Sequence, residues 1–300
     1  IAIEGVERPE LLENYAVEVP EEEQHRQGES IQNQGAPPDG SKKNRPLPQP
    51  KRSGSVMDLR NIISEKRMVI VAEPGMGKST ALQFMAYTDA KAIEAGTEGV
   101  NYPVYIELKE FQSKDSIKEW VIQQLGIAAE VTEGMLKDGK ITLLLDGLNE
   151  TAQGLRDEAV NAIRRFMIDY PQVLVIITCR PNAYERNYFD SLGERGKTPI
   201  FQLQPMGMAQ IEEFLVKYSS NETVRNTILQ ALQNNENLSK VVETPLLLKM
   251  LIAVVSRHPK EPIPPTETRI VLNFIEGIYQ REAEKDAGFK PDTLQTLLPI

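Results

Sequence analysis

Lysine and serine stand side by side at Lys78 and Ser79, directly behind Gly75, Met76 and Gly77, in the stretch VIVAEPGMGKST from Val69 to Thr80. A short glycine-rich loop that runs from a buried strand into a helix aims several backbone N–H groups at one point, and the positive end of the helix dipole lies there too. Such a point suits a phosphate. Gly75 and Gly77 can take positive φ and let the backbone approach an oxygen, Lys78 supplies a point charge for the outer phosphates, and the Ser79 hydroxyl can ligate Mg²⁺. The run Glu73, Pro74, Gly75, Met76, Gly77, Lys78, Ser79 and Thr80 is therefore the candidate cofactor-binding loop, with Thr80 a helix-start residue rather than a second metal ligand. The strict pattern has glycine where this chain has Ala72, a departure of one methyl group ahead of the tightest part of the turn. An ordinary glycine-rich turn would not require Lys-Ser at the helix start.

A second stretch, ITLLLDGLNE from Ile141 to Glu150, puts Asp146 at the C-terminal end of an apolar run. Ligands of open α/β sheets bind at that edge. Asp146 can hold Mg²⁺ there through water, and Glu150, four residues on, can orient or deprotonate an attacking water, because phosphoryl transfer asks little of a protein beyond positioning and charge stabilisation. Read alone, Asp146 and Gly147 are also a turn-forming pair. The next apolar run, VIITCRPNAY, ends in Thr178, Cys179 and Arg180. If its strand lies between those carrying the phosphate loop and Asp146, Arg180 faces the outermost phosphate, where a charge-assisted hydrogen bond is worth ~1.5 to 3 kcal/mol. Alone, an arginine before Pro181 is a surface residue at a turn. Cys179 reads as a small buried residue, with nothing basic beside it in sequence to activate it. Thr244 and Pro245 form a helix N-cap and first-turn proline, and the same proline can pack on a purine ring.

These residues need elements to hold them. RMVIVA reads as a buried strand and Lys78 to Ala95 as a helix; YPVYIELK, KITLLLD and VLVIITC read as further strands, each before a helical pattern, and PIFQLQP as the last. Strands that alternate with helices and are apolar through their centres indicate a parallel sheet covered on both faces. The expectation is one doubly wound α/β domain of about five strands in the order 5-1-4-3-2, with residues 56–205 as the nucleotide-binding part. Beyond Pro205 only the 3.6-residue period remains, which predicts a helical domain over 206–260 and a further segment over 261–300. Residues 1–24 are acidic with one possible short strand in YAVEVP, residues 25–55 read as a flexible linker, and VMDLRNIISEK has helical spacing.

Composition narrows the classes. The formal charge of -9 argues against a general nucleic-acid surface, which needs clustered Lys and Arg; the one basic cluster, Lys42 to Arg52, sits among prolines and reads as solvated linker. One cysteine and two histidines leave no disulfide framework and no zinc cluster to propose. No apolar run approaches the ~20 residues that span a bilayer, and the first residues lack a signal-peptide pattern, so the reading is cytoplasmic and without a membrane partner. The chain opens at Ile1 and stops at Ile300 in an apolar run, which reads as a piece of something longer.

In order and on these elements, AEPGMGKST, LLLDGLNE, TCRP and TPLLLKML resemble the phosphate loop, acidic motif, sensor arginine and proline-bearing helix of the NACHT family of STAND NTPases, AAA-like P-loop ATPases. The resemblance covers roughly Val56 to Ile300, and RIVLNFIEGIYQREAEK is similar to the helix leading into that family's winged-helix domain. It implies ATP or ADP with Mg²⁺ as cofactors and catalytic roles for Lys78, Asp146, Glu150 and Arg180. It also implies Pro245 at the nucleotide, self-association through the module, and effector and sensor domains on either side. The family's acidic motif commonly ends Asp-Glu; Asn149 stands here before Glu150, so hydrolysis would rest on Glu150 and be slow. The implied function is a nucleotide-dependent conformational and oligomerisation switch in signalling or defence. Two other readings stay open: a motor or remodelling ATPase, which would need fast turnover, and a nucleotide-binding scaffold without turnover.

Overall fold

Three runs of β-branched and aliphatic residues have no polar face, so only a strand buried on both sides suits them. They are β3 (Arg67–Val71), β5 (Ile141–Asp146) and β6 (Leu174–Cys179), and the last two are buried throughout. In the computed structural model, which describes residues 16–18, 56–58, 66–113, 116–185, 188–189, 192 and 198–285, these strands form the centre of one sheet. With β4 (Tyr102–Glu107), β7 (Ile200–Leu203), β1 (Ala16–Glu18) and β2 (Val56–Asp58), its order is β2-β1-β7-β3-β6-β5-β4. The pairs β7–β3, β3–β6, β6–β5 and β5–β4 are all parallel. That is the expected five-strand order 5-1-4-3-2. It is extended at the β7 edge by β1 and β2, which pair antiparallel.

Strand periodicity sorts the sheet's residues into two faces. Val69 and Val71, Leu143 and Leu145, and Val175 and Ile177 share one cluster with Ile117 and Val121 of α2 (Ile117–Leu125). Leu136 of α3 (Ala129–Lys137) and Ile163, Phe166 and Met167 of α4 (Arg156–Asp169) complete it. The alternate residues Met68, Ile70, Leu144 and Ile176 are also fully buried, and α1 (Lys78–Glu94) packs on β4 and β5 with Ala81, Leu82, Met85 and Ala86 buried. Tyr105, Asp146 and Thr178 have the parity of this second set.

The segment from Val56, expected to be helical, instead contributes the strand Val56–Asp58, paired to Ala16–Glu18. Apolar spacing at Val56, Met57, Leu59, Ile62 and Ile63 mimics a helical stripe, but pairing with residues some forty positions away decides its first part. Ala16–Glu18 falls within YAVEVP, while the proposed linker 25–55 lies outside the described residues. After β6 the described residues open with a 3-10 turn, Pro181–Ala183, and most of residues 186–197, where the expected short helix would continue, lie outside the described residues.

By contacts the chain groups into two compact units, one of residues 1–74 and 78–204, the other of 75–77 and 205–300. The second holds α5 (Met208–Tyr218), α6 (Glu222–Asn234), α7 (Glu236–Val241), α8 (Pro245–Arg257) and α9 (Glu267–Lys285). Its core gathers Ile211, Leu215, Val224, Ile228, Leu232, Leu248, Leu251 and Ile270. Asn221, Asn235 and Thr244 cap α6, α7 and α8, each accepting a backbone N–H two or three residues on. The segment beyond Lys285 lies outside the described residues. No helix among the described residues is long and apolar enough to cross a membrane.

Candidate functional site

The loop between β3 and α1 takes the shape its glycines allow. Gly75 and Gly77 have φ of 79° and 87°, in the left-handed region where a side chain is strained. Lys78 opens α1, and its ammonium donates to the carbonyls of Ala72 at 2.6 Å and Glu73 at 3.2 Å. Burial depresses its pKa, the neighbouring positive charge of Arg180 depresses it further, and Asp146, Cys179 and Glu150 oppose the shift in part. Two cations held close together in a partly desolvated place suit an anionic ligand, so the residues present fit a phosphate group. Ser79 is exposed, Thr80 half-buried, Met76 buried, and Glu73 and Pro74 exposed.

Asp146 is 6% exposed, and a carboxylate so placed must be hydrogen-bonded. Its partners come from both neighbouring strands: Tyr105 of β4 donates its phenol to Oδ2 at 2.9 Å, and Thr178 of β6 donates its hydroxyl to Oδ1. The registers explain the meeting, since Tyr105 pairs with Leu144, one same-face step before Asp146, and Leu144 pairs with Ile176, one such step before Thr178. Burial above all, and then the charge of Asp146, push the Tyr105 phenol well above its ordinary value, so it stays a proton donor. The Gly147 N–H donates to the same Thr178 oxygen at 2.8 Å. The turn starts at Gly147, φ 76°, whose carbonyl accepts the Glu150 N–H at 2.7 Å, while Asp146 ahead of it is held by its strand neighbours.

Glu150 is exposed and folds back, so that a Cβ on Gly147 would meet its carboxylate at 3.2 Å. Asn149 acts as a tether. Its side-chain oxygen accepts the Arg180 N–H at 2.9 Å, and its carbonyl accepts from Arg156 at 3.2 Å. One amide thus ties the acidic turn to the base of Arg180, whose side chain is exposed at the end of β6. The sheet order does place β6 between β3 and β5. Cys179 is fully buried, and burial pushes its thiol up to about 11, which leaves it unreactive. Pro245 opens α8 in the second unit behind its Thr244 cap.

Sequence reasoning missed Tyr105 and treated Thr178 and Asn149 only as neighbours of the residues of interest. The parity of Tyr105 was readable, because Val104 and Ile106 flank it as apolar alternates, but its partner depends on which strand lies alongside.

Among family models, the NACHT domain matches residues 66–222. Comparison with curated proteins gives no match. Among solved structures, the chain is similar to Drosophila ORC bound to DNA, at 14% identity over 73% of this chain and 60% of that one, with a TM-score of 0.40. It is also similar to AMPPCP-bound DnaA from Aquifex aeolicus, at 13% identity over 75% and 87% with a TM-score of 0.35. A RuvB mutant from Thermotoga maritima matches at 16% identity over 70% and 61% with a TM-score of 0.33. The chain therefore spans about three fifths of the ORC and RuvB chains it matches.

Proposed function

The chain belongs to the NACHT domain family of P-loop NTPases, and from that premise we propose that it binds ATP and ADP with Mg²⁺, hydrolyses ATP slowly, and works as a nucleotide-dependent conformational and oligomerisation switch in a signalling or defence protein. The observation that carries this reading is the loop of positive-φ glycines leading into Lys78, whose protonation burial and then the nearby Arg180 charge disfavour. Bound Mg²⁺-ATP supplies the electrophilic phosphorus and the charge that activates it. The chain's own residues do the rest. Loop N–H groups and Lys78 hold the phosphates, Ser79 and Asp146 hold the cation, and Arg180 donates to the outermost phosphate. Glu150 takes the proton of the attacking water. Asn149, engaged with Arg180 and no base, leaves that proton a single acceptor, which favours slow turnover.

Lys78→Ala tests the reading. Removing a charged hydrogen-bond donor costs ~1.5 to 3 kcal/mol, so nucleotide affinity is expected to fall by roughly 10- to 150-fold in a fluorescent-nucleotide titration. An unchanged affinity would falsify the assignment of the loop. Alongside it, Glu150→Gln is expected to abolish turnover and keep binding; a wild type with no turnover to lose is a scaffold.

A further inference from the structure

Asp146 sits at the centre of a short relay of side chains. Its Oδ2 accepts from Tyr105 at 2.9 Å and its Oδ1 from Thr178, so each oxygen has one lone pair engaged by a hydroxyl and another left over. Tyr105 has a single proton and gives it to Asp146. The strands on either side of β5 therefore hold the carboxylate at its end, one hydroxyl from each.

We propose that Tyr105 is a positioning residue for a divalent cation: with Thr178 it fixes the orientation of the Asp146 carboxylate, a group that would hold Mg²⁺ with the nucleotide. The inference rests on the reading of the phosphate loop given above. A carboxylate gripped at both oxygens cannot rotate, and its remaining lone pairs keep one direction, which is what an octahedral cation and its waters demand. Residues that orient a ligand in this way typically contribute ~10- to 100-fold to metal affinity. Tyr105 is not called on to touch the phosphates.

The test is a Mg²⁺ titration of an N-methylanthraniloyl ATP bound to the 300-residue chain, read by fluorescence, with affinity in EDTA measured alongside. Tyr105→Phe keeps the ring and removes only the hydroxyl. It is expected to raise the Mg²⁺ concentration at half-maximal enhancement by ~10-fold or more and to leave the affinity in EDTA unchanged. Thr178→Val, which keeps the shape and removes the hydroxyl on the other carboxylate oxygen, is expected to shift the midpoint in the same direction. Thermal unfolding without nucleotide controls for folding; if Tyr105→Phe fails to fold, Thr178→Val carries the test, because it loosens the same carboxylate at its other oxygen. A wild-type midpoint in the variants overturns the inference, as does a parallel loss of affinity in EDTA, since either makes the relay merely structural. A wild-type chain that binds nucleotide with no response to Mg²⁺, or binds none, overturns the reading of the site itself and the inference with it.

Discussion

Asp89 lies half-buried on α1, and burial alone pushes its carboxyl from 3.8 up to about 6. The sign of its effect on stability follows from which state keeps the proton longer. Below about 3.8 both the folded and unfolded chains hold it, and the group costs nothing. Between 3.8 and 6 the unfolded chain releases the proton first, so stability falls as pH rises, and above about 6 the folded state bears the full penalty of a desolvated carboxylate. Asp89→Asn, neutral throughout, is expected to melt with wild type near pH 4 and progressively above it up to pH 7, with a flat difference beyond. A difference in melting temperature that does not change between pH 4 and 7 would show that burial of the charge is not what perturbs this group. Asp146 is more deeply buried and carries two hydroxyl partners. At the residue scale the partners, more than the depth, decide whether a buried carboxylate is a burden on the fold.

Elements were legible where the signal is local. The all-apolar runs of β3, β5 and β6, each ending at the same edge of the sheet, announced both the parallel core and the positions of Asp146 and Arg180 before any strand order was known. Pairing and register were not legible, because they are decided between segments far apart in the chain. That is why Val56–Asp58 resembled a helix and why the contact from Tyr105 to Asp146, 41 residues on, went unseen. The helix α3, with Gly134 inside it and only nine residues long, gave too weak a periodic signal to be assigned. Caps, by contrast, are local, and Thr244-Pro245 was read as one. Its hydroxyl accepts the Leu247 N–H at 3.3 Å and starts a helix that buries Leu247, Leu248, Leu251, Ile252, Val254 and Val255. Thr244→Ala is expected to destabilise the helical unit by ~0.5 to 1 kcal/mol, the low end for a cap because the bond is long, and Thr244→Ser to restore it. Equilibrium urea unfolding followed by circular dichroism measures this, and equal midpoints for all three proteins would remove the cap from the account.

For the whole molecule the question is how far a nucleotide can move it. Converting a resting population of 1:99 into 99:1 takes about 5.5 kcal/mol of differential binding. On the function proposed above, the group this chain offers to the phosphate that distinguishes ATP from ADP is Arg180, exposed at the end of β6 with its backbone tied to Asn149. One charged hydrogen bond of ~1.5 to 3 kcal/mol multiplies the ratio of states by roughly 10 to 150, which raises a state populated at about 1% to somewhere between about 10% and 60%. The exchange of ADP for ATP is therefore expected to shift this chain only partway toward an associated form, and Arg180→Ala to abolish most of that shift while both nucleotides still bind through the loop. Sedimentation velocity in saturating Mg²⁺-ADP and in a non-hydrolysable Mg²⁺-ATP analogue reads the fraction directly. Complete conversion by the analogue in wild type would mean that contacts beyond the arginine contribute the missing 2 to 4 kcal/mol or so within these 300 residues. An equal response in Arg180→Ala would mean that the γ-phosphate is read elsewhere, and the nucleotide dependence would then have to be sought away from the end of β6.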